Sequence, residues 1–574
     1  MRVDVSAETK YPLLREEAGW SQEDAAAAPK IAALLAAAGL PEADPVPSVS
    51  YHSEGKLLIV ADSAPALDWA AELADTLDVS VLIVGGDSAE LPVDRRYAVM
   101  SGRVTRVEGY LGNFSVDWEQ VNPTDFERKE RTRSDRFDLI LNLSDQMLFA
   151  MPQPPQGYFA PGGERAAQAL AIEEVVTATG DFEKPRYFQY DAKICAHSRS
   201  KLQGCNQCID ICSTQAISAD GDRVKVNPHL CMGCGGCASV CPSGAMSYVY
   251  PKMSFQGEKL RVMLGAYRDA GGKDACLLFH NGTDGRELIL KLGRHRGLPV
   301  RVIPVETFHV ASLGLDLLLG AIALGAGQVI VVSAGSEVPA YFEALHRQMG
   351  FGEEILRAFG YRGRHFELIV TADPQALEQH IWSLDAAQCP APPAEFHLFD
   401  DKRTSLAFVI EHLLAHAPTP KAVIPLSAGA PFGEIKVNLD TCTMCMACVG
   451  ACPEAALADG RDRPQLRFVE ANCVQCGLCE QACPEDAITL VPRLLVGEEA
   501  KAERVLNQDQ PFHCIRCGKE FGTQRMLQSM LVKIAGHSMF SAPGALERMK
   551  MCGDCRVVDM IEKGGEVSVF DLKR

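Results

Sequence analysis

Twenty-two of the 574 residues are cysteine, and most stand at spacings that ligate metal. Cys442, Cys445, Cys448 and Cys452 are followed by Pro453, and Cys473, Cys476, Cys479 and Cys483 by Pro484, so the run C-x2-C-x2-C-x3-C-P occurs twice in close succession. Three thiolates on one tight loop can hold three irons of a cubane, but the fourth corner points away and needs a remote ligand. The spacing therefore predicts two interlocked quartets. Cys442, Cys445, Cys448 and Cys483 would hold one [4Fe-4S] cluster, III, and Cys473, Cys476, Cys479 and Cys452 its neighbour, IV. A single zinc ion is complete with four thiolates and has no use for an eight-residue interlock.

An earlier block repeats the pattern with one irregular half. Cys231, Cys234, Cys237 and Cys241, with Pro242, are regular. In the other half Cys205, Cys208 and Cys212 fit the last three positions, but Leu202 stands where the first cysteine belongs and Ser213 where proline follows. Cys195 lies seven residues before Leu202, and CAHSRSKLQGC reads as a loop insertion that keeps the ligand. Cluster I is then Cys195, Cys205, Cys208 and Cys241, and cluster II is Cys231, Cys234, Cys237 and Cys212. The alternative leaves cluster I with three thiolates, as a labile three-iron or missing centre.

Both blocks resemble bacterial-type dicluster ferredoxin domains. The resemblance implies a pseudo-twofold fold of β-hairpins and short helices holding paired [4Fe-4S] cubanes. It also implies one-electron transfer at low potential, tuned by hydrogen bonds to sulfur and by burial.

Cys514-x2-Cys517 and Cys552-x2-Cys555 make a different set, each pair followed or divided by glycine (CIRCGK, CGDCRV). Two such knuckles suit a four-thiolate structural zinc site; a fifth iron–sulfur cluster and a redox dithiol are the alternatives. His513 and His537 could substitute as ligands but read as surface histidines. Cys276 and Cys389 have no partners at metal spacing and read as buried structural thiols.

The elements that must position these ligands follow from length and pattern. A chain of this length divides into several domains. The expected fold class is multidomain α/β and α+β, with two ferredoxin-like dicluster modules, two α/β domains and a small C-terminal four-cysteine metal module. Residues 1–50 read as a helical leader (AAAAPKIAALLAAAGL), 51–184 as an α/β domain and 185–255 as the first dicluster module. Residues 256–390 read as an α/β insert, 391–432 as a helical linker, 433–493 as the second dicluster module and 505–574 as the C-terminal module. In the first α/β domain KLLIV and FDLILNLSD read as buried strands, and RYAVMSGRVTRVEGYLGNFSVDW as antiparallel strands.

With 56 Lys+Arg against 74 Asp+Glu the formal charge is −18, which disfavours nucleic acid as a partner. At 47% hydrophobic and 23% charged the chain is neither disordered nor collagen-like. Residues 1–8 show no apolar signal segment. The most apolar window, 317–333, contains Gln328 and glycines and reads as a helix then a strand rather than a membrane span. A soluble cytoplasmic protein is expected, where cysteines serve metals rather than disulfides.

The insert, through PVRVIPVETFHVASLGLDLLLGAIALGAGQVIVVSAGSEV, resembles the small iron–sulfur subunit associated with heterodisulfide reductases and methyl-viologen-type hydrogenases. That subunit binds [2Fe-2S] through loop cysteines; the loops here, FHNG, VETFH and SAGSEV, carry none, so a docking or scaffold role is expected. No dinucleotide or P-loop fingerprint is present. VGGD (84–87) and SAGS (333–336) read as plain turns, and His280 and His309 as core or loop residues. The overall order of units resembles large bacterial 4Fe-4S proteins encoded beside molybdenum formate dehydrogenases, which implies such an enzyme as redox partner. The expectation is a non-catalytic multi-cluster electron carrier. A flavin-containing oxidoreductase subunit and an assembly or maturation scaffold are the alternatives.

Overall fold

In the computed structural model, residues 26–62, 66–84, 96–120, 131–537, 540 and 544–563 are described; residues 1–25 of the leader and 85–87 of the VGGD turn lie outside them. The first α/β unit is built on five parallel strands in the order Ala98–Ser101, Asp78–Ile83, Lys56–Ala61, Leu139–Asn142, Tyr158–Phe159. Lys56–Ala61 is a continuous apolar run because both its faces are covered. Leu57 and Ile59 meet Ala70 and Leu73 of helix Ala66–Leu73 and Val175 of helix Arg165–Thr177. Leu58 and Val60 meet Phe114, Val116, Trp118 and Phe137. Those aromatics come from an antiparallel sheet of Arg103–Glu108, Phe114–Gln120 and Arg131–Phe137. The antiparallel expectation thus holds from Arg103 onward, whereas Ala98–Ser101 joins the parallel sheet beside Asp78–Ile83.

The insert is a second parallel sheet, ordered Val302–Thr307, Cys276–Asn281, Gln328–Ser333, Phe366–Val370. Helix Leu315–Ala323 is buried along its whole length, which explains its uninterrupted apolar sequence. Among the described residues no helix is long and apolar enough to cross a membrane. Helix Ala28–Ala38 packs on this unit, remote in sequence: Ala33 enters its core and Lys30 Nζ donates to Leu298 O at 3.2 Å.

Each cysteine-rich block folds as short hairpins around two one-turn helices. In the first, Phe188–Tyr190 pairs with Met246–Tyr248 and Ile217–Asp220 with Arg223–Val226. In the second, Gly433–Val437 pairs with Ile488–Leu495 and Leu457–Asp459 with Gln465–Phe468. The third cysteine of each run lies in a short helix: Cys208 in Gln207–Asp210, Cys237 in Gly236–Val240, Cys448 in Ala447–Ala451 and Cys479 in Leu478–Gln481.

Helix Lys402–Ala415 ties the blocks together through its first turn. Asp401 caps it by accepting from Thr404 N at 2.6 Å. Lys402 Nζ donates to Ala238 O at 2.9 Å and Ser239 O at 2.7 Å in the first block. Arg403, next in sequence, donates to Pro431 O at 2.8 Å just before the second block and to Ala471 O at 2.9 Å within it. Replacing Lys402 by Met removes the donor to two buried carbonyls, at a cost of about 1–3 kcal/mol. Amide hydrogen exchange of Gly236–Val240 is expected to quicken in that variant; unchanged exchange would show the grip to be dispensable.

Candidate iron–sulfur and metal centres

Three of the four C-x2-C-x2-C runs share one backbone device. The second and fourth residues after the first cysteine adopt the left-handed conformation: Gly233 and Gly235 (φ 80° and 76°), Met444 and Met446 (55° and 60°), Gln475 and Gly477 (54° and 83°). Such alternation turns successive backbone N–H groups to one side, towards negative sulfur. That non-glycine residues hold this conformation at Met444, Met446 and Gln475 marks it as imposed by the loop's task. The run containing Leu202 lacks the device, for neither Gly204 nor Asn206 is left-handed. The sequence irregularity is therefore a real departure in backbone geometry.

Burial and neighbouring cysteines act together on several of these thiols. The thiol of Cys205 is pushed up to about 11 by burial and by the charges of Cys241 and Cys195, and Cys208 to about 12 by burial, Cys241, Cys205 and Cys195. Cys195, Cys208 and Cys241 share one apolar cluster. Burial, then Cys234 and Cys212, raises Cys231 to about 11. Burial, then Cys445, Cys442 and Cys483, raises Cys448 to about 12; burial, then Cys452 and Cys473, raises Cys476 to about 12. Crowded thiols in a low dielectric resist ionising together, and a positively charged core is what relieves them.

Two of these groups line cavities. Cys452, Cys473, Cys476 and Cys479 line one cavity, partly open to solvent, and Cys442, Cys445, Cys448 and Cys483 line another. Hydrogen-bond donors reach the sulfurs: Met246 N to Cys241 Sγ at 3.4 Å, Ala487 N to Cys483 Sγ at 3.2 Å and Gln475 Nε2 to Cys473 Sγ at 3.4 Å. The residues present fit a multi-iron cluster.

Two groups around the clusters carry no motif in the sequence. Tyr341, on insert helix Pro339–Phe359, packs with Ile211 and Val240 and donates its hydroxyl to Cys234, while that hydroxyl also pairs with Ser213 Oγ. Tyr187 packs its ring against Gly233 and stacks on Phe308 at 5.1 Å. Both are long-range contacts that local spacing cannot announce.

The last four cysteines behave differently. Cys514, Cys517, Cys552 and Cys555 bring their sulfurs within 4.8 Å of one another, and among the described residues this is the one such group of three or more. Cys517 and Cys552 Sγ are 3.7 Å apart. A tetrahedral ion with metal–sulfur bonds of about 2.3 Å sets its ligands about 3.8 Å apart, closer than the corners of a cubane. Burial raises the Cys514 thiol, but the N–H groups of Cys552, Cys517 and Arg516 outweigh it and bring it down to about 6. His513 is outside the group, beside Glu520 at 3.4 Å, as is His537. This module leans on the loop of Cys442–Cys445 through Thr523 Oγ1 to Thr443 O at 3.2 Å and Arg525 to Leu439 O at 3.1 Å.

Cys276 is fully buried in the insert core and Cys389 is half-buried, packed near Gly327. His280 is buried at a strand end, with Nδ1 2.9 Å from Asn281 O, and His309 caps the short helix Val310–Ser312.

Comparison with known proteins agrees with this geometry. Residues 203–245 and 433–488 each match the 4Fe-4S dicluster domain family. Indolepyruvate oxidoreductase subunit IorA of Pyrococcus horikoshii is 44% identical over 54 residues, 9% of this chain and 8% of that one. Hydrogenase-4 component A of Escherichia coli is 48% identical over 40 residues, 7% of this chain and 20% of that one. The chain thus spans at most a fifth of the length of these two oxidoreductase components. An uncharacterized ferredoxin of Methanocaldococcus jannaschii, MJ0199, is 37% identical over 51 residues, 9% of this chain but 82% of that one. With two dicluster domains and a ferredoxin matched over most of its length, the chain belongs to the 4Fe-4S dicluster ferredoxins.

Proposed function

We propose that this chain relays single electrons through four [4Fe-4S] clusters to or from a redox enzyme and performs no chemistry of its own on a substrate. The observation that carries the reading is the repeated C-x2-C-x2-C-x3-C spacing within residues 203–245 and 433–488, each of which matches a 4Fe-4S dicluster domain. The ligand sets are Cys195, Cys205, Cys208 and Cys241 for cluster I and Cys231, Cys234, Cys237 and Cys212 for II. Cys442, Cys445, Cys448 and Cys483 serve III, and Cys473, Cys476, Cys479 and Cys452 serve IV. Bound there, the clusters supply reversible one-electron chemistry at low potential. The protein's part is to desolvate the sulfurs, aim N–H groups at them and exclude bulk water, all of which tune that potential.

Cys514, Cys517, Cys552 and Cys555 hold one zinc ion as a brace, a reading supported by their tight spacing and by the glycine after Cys517. The domain limits are those read from the sequence. A reducing cytoplasm suits so many metal-bound thiolates. The negative charge of −18 steers the chain to a basic patch on its partner. The order of units supports a formate dehydrogenase as that partner, and the insert's likeness to the heterodisulfide-reductase-associated subunit supports docking by that unit.

One observation favours a second reading, a flavin-fed oxidoreductase subunit. A cavity of about 270 Å³ in the insert, close to the lower end of small-molecule sites, is lined by Tyr250, Phe255, Lys259, Glu306 and Phe308. Through Phe308 and Tyr187 it adjoins the loop of Gly233. Anaerobically purified protein is expected to show an iron–sulfur shoulder without flavin bands; bound flavin would favour this second reading.

Metal analysis of the same material is expected to give about sixteen iron and one zinc per chain, from four cubanes and one four-thiolate site. About twelve iron would remove Cys195 from the ligands. Tyr341→Phe deletes a hydrogen bond to Cys234 and is expected to lower the midpoint potential of one centre by some tens of millivolts with iron unchanged. An unaltered potential would take Tyr341 out of the tuning shell.

A further inference from the structure

The inserted segment between Cys195 and Cys205 is a built element. Ser198–Arg199 and Leu202–Gln203 form a two-stranded hairpin, with Ser200 and Lys201 left-handed at its tip (φ 53° and 70°). Asp222, in the neighbouring turn, holds that tip. Its carboxylate accepts from Ser200 N at 3.0 Å, Lys201 N at 3.2 Å and Ser198 Oγ at 3.1 Å. At the base, Gly204 N donates to His197 O at 2.7 Å and Cys205 N to Ala196 O at 2.9 Å. A loop needed only to bridge a displaced ligand would not require this bracing.

The hairpin faces the second dicluster module. Ala196, Ala451 and Leu478 form one buried apolar cluster, and Leu202, Cys205, Cys476 and Ala482 pack against it, so both modules contribute. Leu478 is fully buried although it lies on the short cluster-IV helix Leu478–Gln481. The approach is close: a Cβ on Gly204 would stand 2.7 Å from Leu478 Cγ and 2.6 Å from Ala196 O. Only glycine fits there.

We propose that the 198–203 hairpin is the docking element of the first module on the second, and that it seats Cys205 beside Cys476 so that the four quartets stand in a single line, II–I–IV–III. This rests on the four-cluster reading above and adds the order that sequence alone leaves open. The neighbouring pairs along the line are visible in the thiols themselves. Cys208 and Cys237 pack against one apolar cluster, Cys205 and Cys476 against a second, and Cys448 and Cys479 belong to a third, each pair across a boundary between quartets. One end of the line meets the insert at Tyr341, and the other lies under the C-terminal module at Thr443. Transfer across the junction moves one electron between iron centres and makes or breaks no bond.

The test uses full-length holo-protein, reduced anaerobically and measured by EPR, with iron content measured alongside. The wild type is expected to show spin–spin interaction between centres of the two modules. Leu202→Glu, which drives a charge into the apolar junction, is expected to abolish that interaction with iron unchanged, while Leu202→Met retains it. Hydrogen exchange at Leu478–Gln481 is expected to rise in the Glu variant only. Should Leu202→Glu lose iron, Leu478→Ala, which trims the side chain facing Gly204 without adding a charge, serves in its place. Intermodule coupling that survives Leu202→Glu or Leu478→Ala, or its absence from wild type with full iron, overturns the docking proposal alone. A wild-type iron content far below about sixteen overturns the four-cluster reading instead.

Discussion

Two consecutive cations at the start of one helix hold the two cysteine modules in place. Lys402 grips carbonyls at the end of Gly236–Val240 and Arg403 grips carbonyls beside the second module, with the Arg403 guanidinium 4.8 Å over the Phe432 ring. Helix ends leave carbonyls without partners, and a buried ammonium answers that need with strong charge-assisted bonds. Since residues 401–403 can turn only as a unit, the separation of the modules is fixed within one helical turn. The apolar contact around Leu478 then closes the remaining gap.

The insert gains a clear place in this arrangement. Its loops FHNG, VETFH and SAGSEV carry no cysteine, yet its helix Pro339–Phe359 sends Tyr341 to the sulfur of Cys234, and its strand end sends Phe308 to Tyr187. It acts on the first module from outside, through the Tyr341 hydroxyl, the stacked Phe308 ring and the packing of Ala311 and Ser312. Electrostatically, each buried group of thiols is self-repelling, and the N–H donors from Met246, Ala487 and the left-handed loops are the protein's own contribution against that repulsion.

The cysteine runs were legible because ligation demands local spacing, and the same holds for the buried strands, whose apolar runs reflect cover on both faces. Edge strand Ala98–Ser101 was misread because an alternating pattern fits a parallel edge as well as an antiparallel hairpin. Leu202 looked like a missing ligand, and its partner Leu478 sits far along the chain, so no window of sequence holds both. Tyr341, Lys402 and Arg403 were unreadable for the same reason: each acts on a backbone or sulfur atom supplied by another domain. The four C-terminal cysteines were legible as pairs, while their closure to 4.8 Å is a tertiary fact.

Helix Ala28–Ala38 leaves a trace in how the chain is made. It completes the core of a unit whose own helix, Met253–Asp269, emerges more than two hundred residues later, and Lys30 finds its acceptor only at Leu298. At about 5–20 residues per second, a nascent chain carries that apolar segment unburied for roughly 10–40 s. The first cysteine block emerges only at the end of this wait, with neither Tyr341 nor Lys402 yet available to it. Until those residues follow, the block lacks the packing of Tyr341 and the carbonyl bonds of Lys402 that the finished fold supplies.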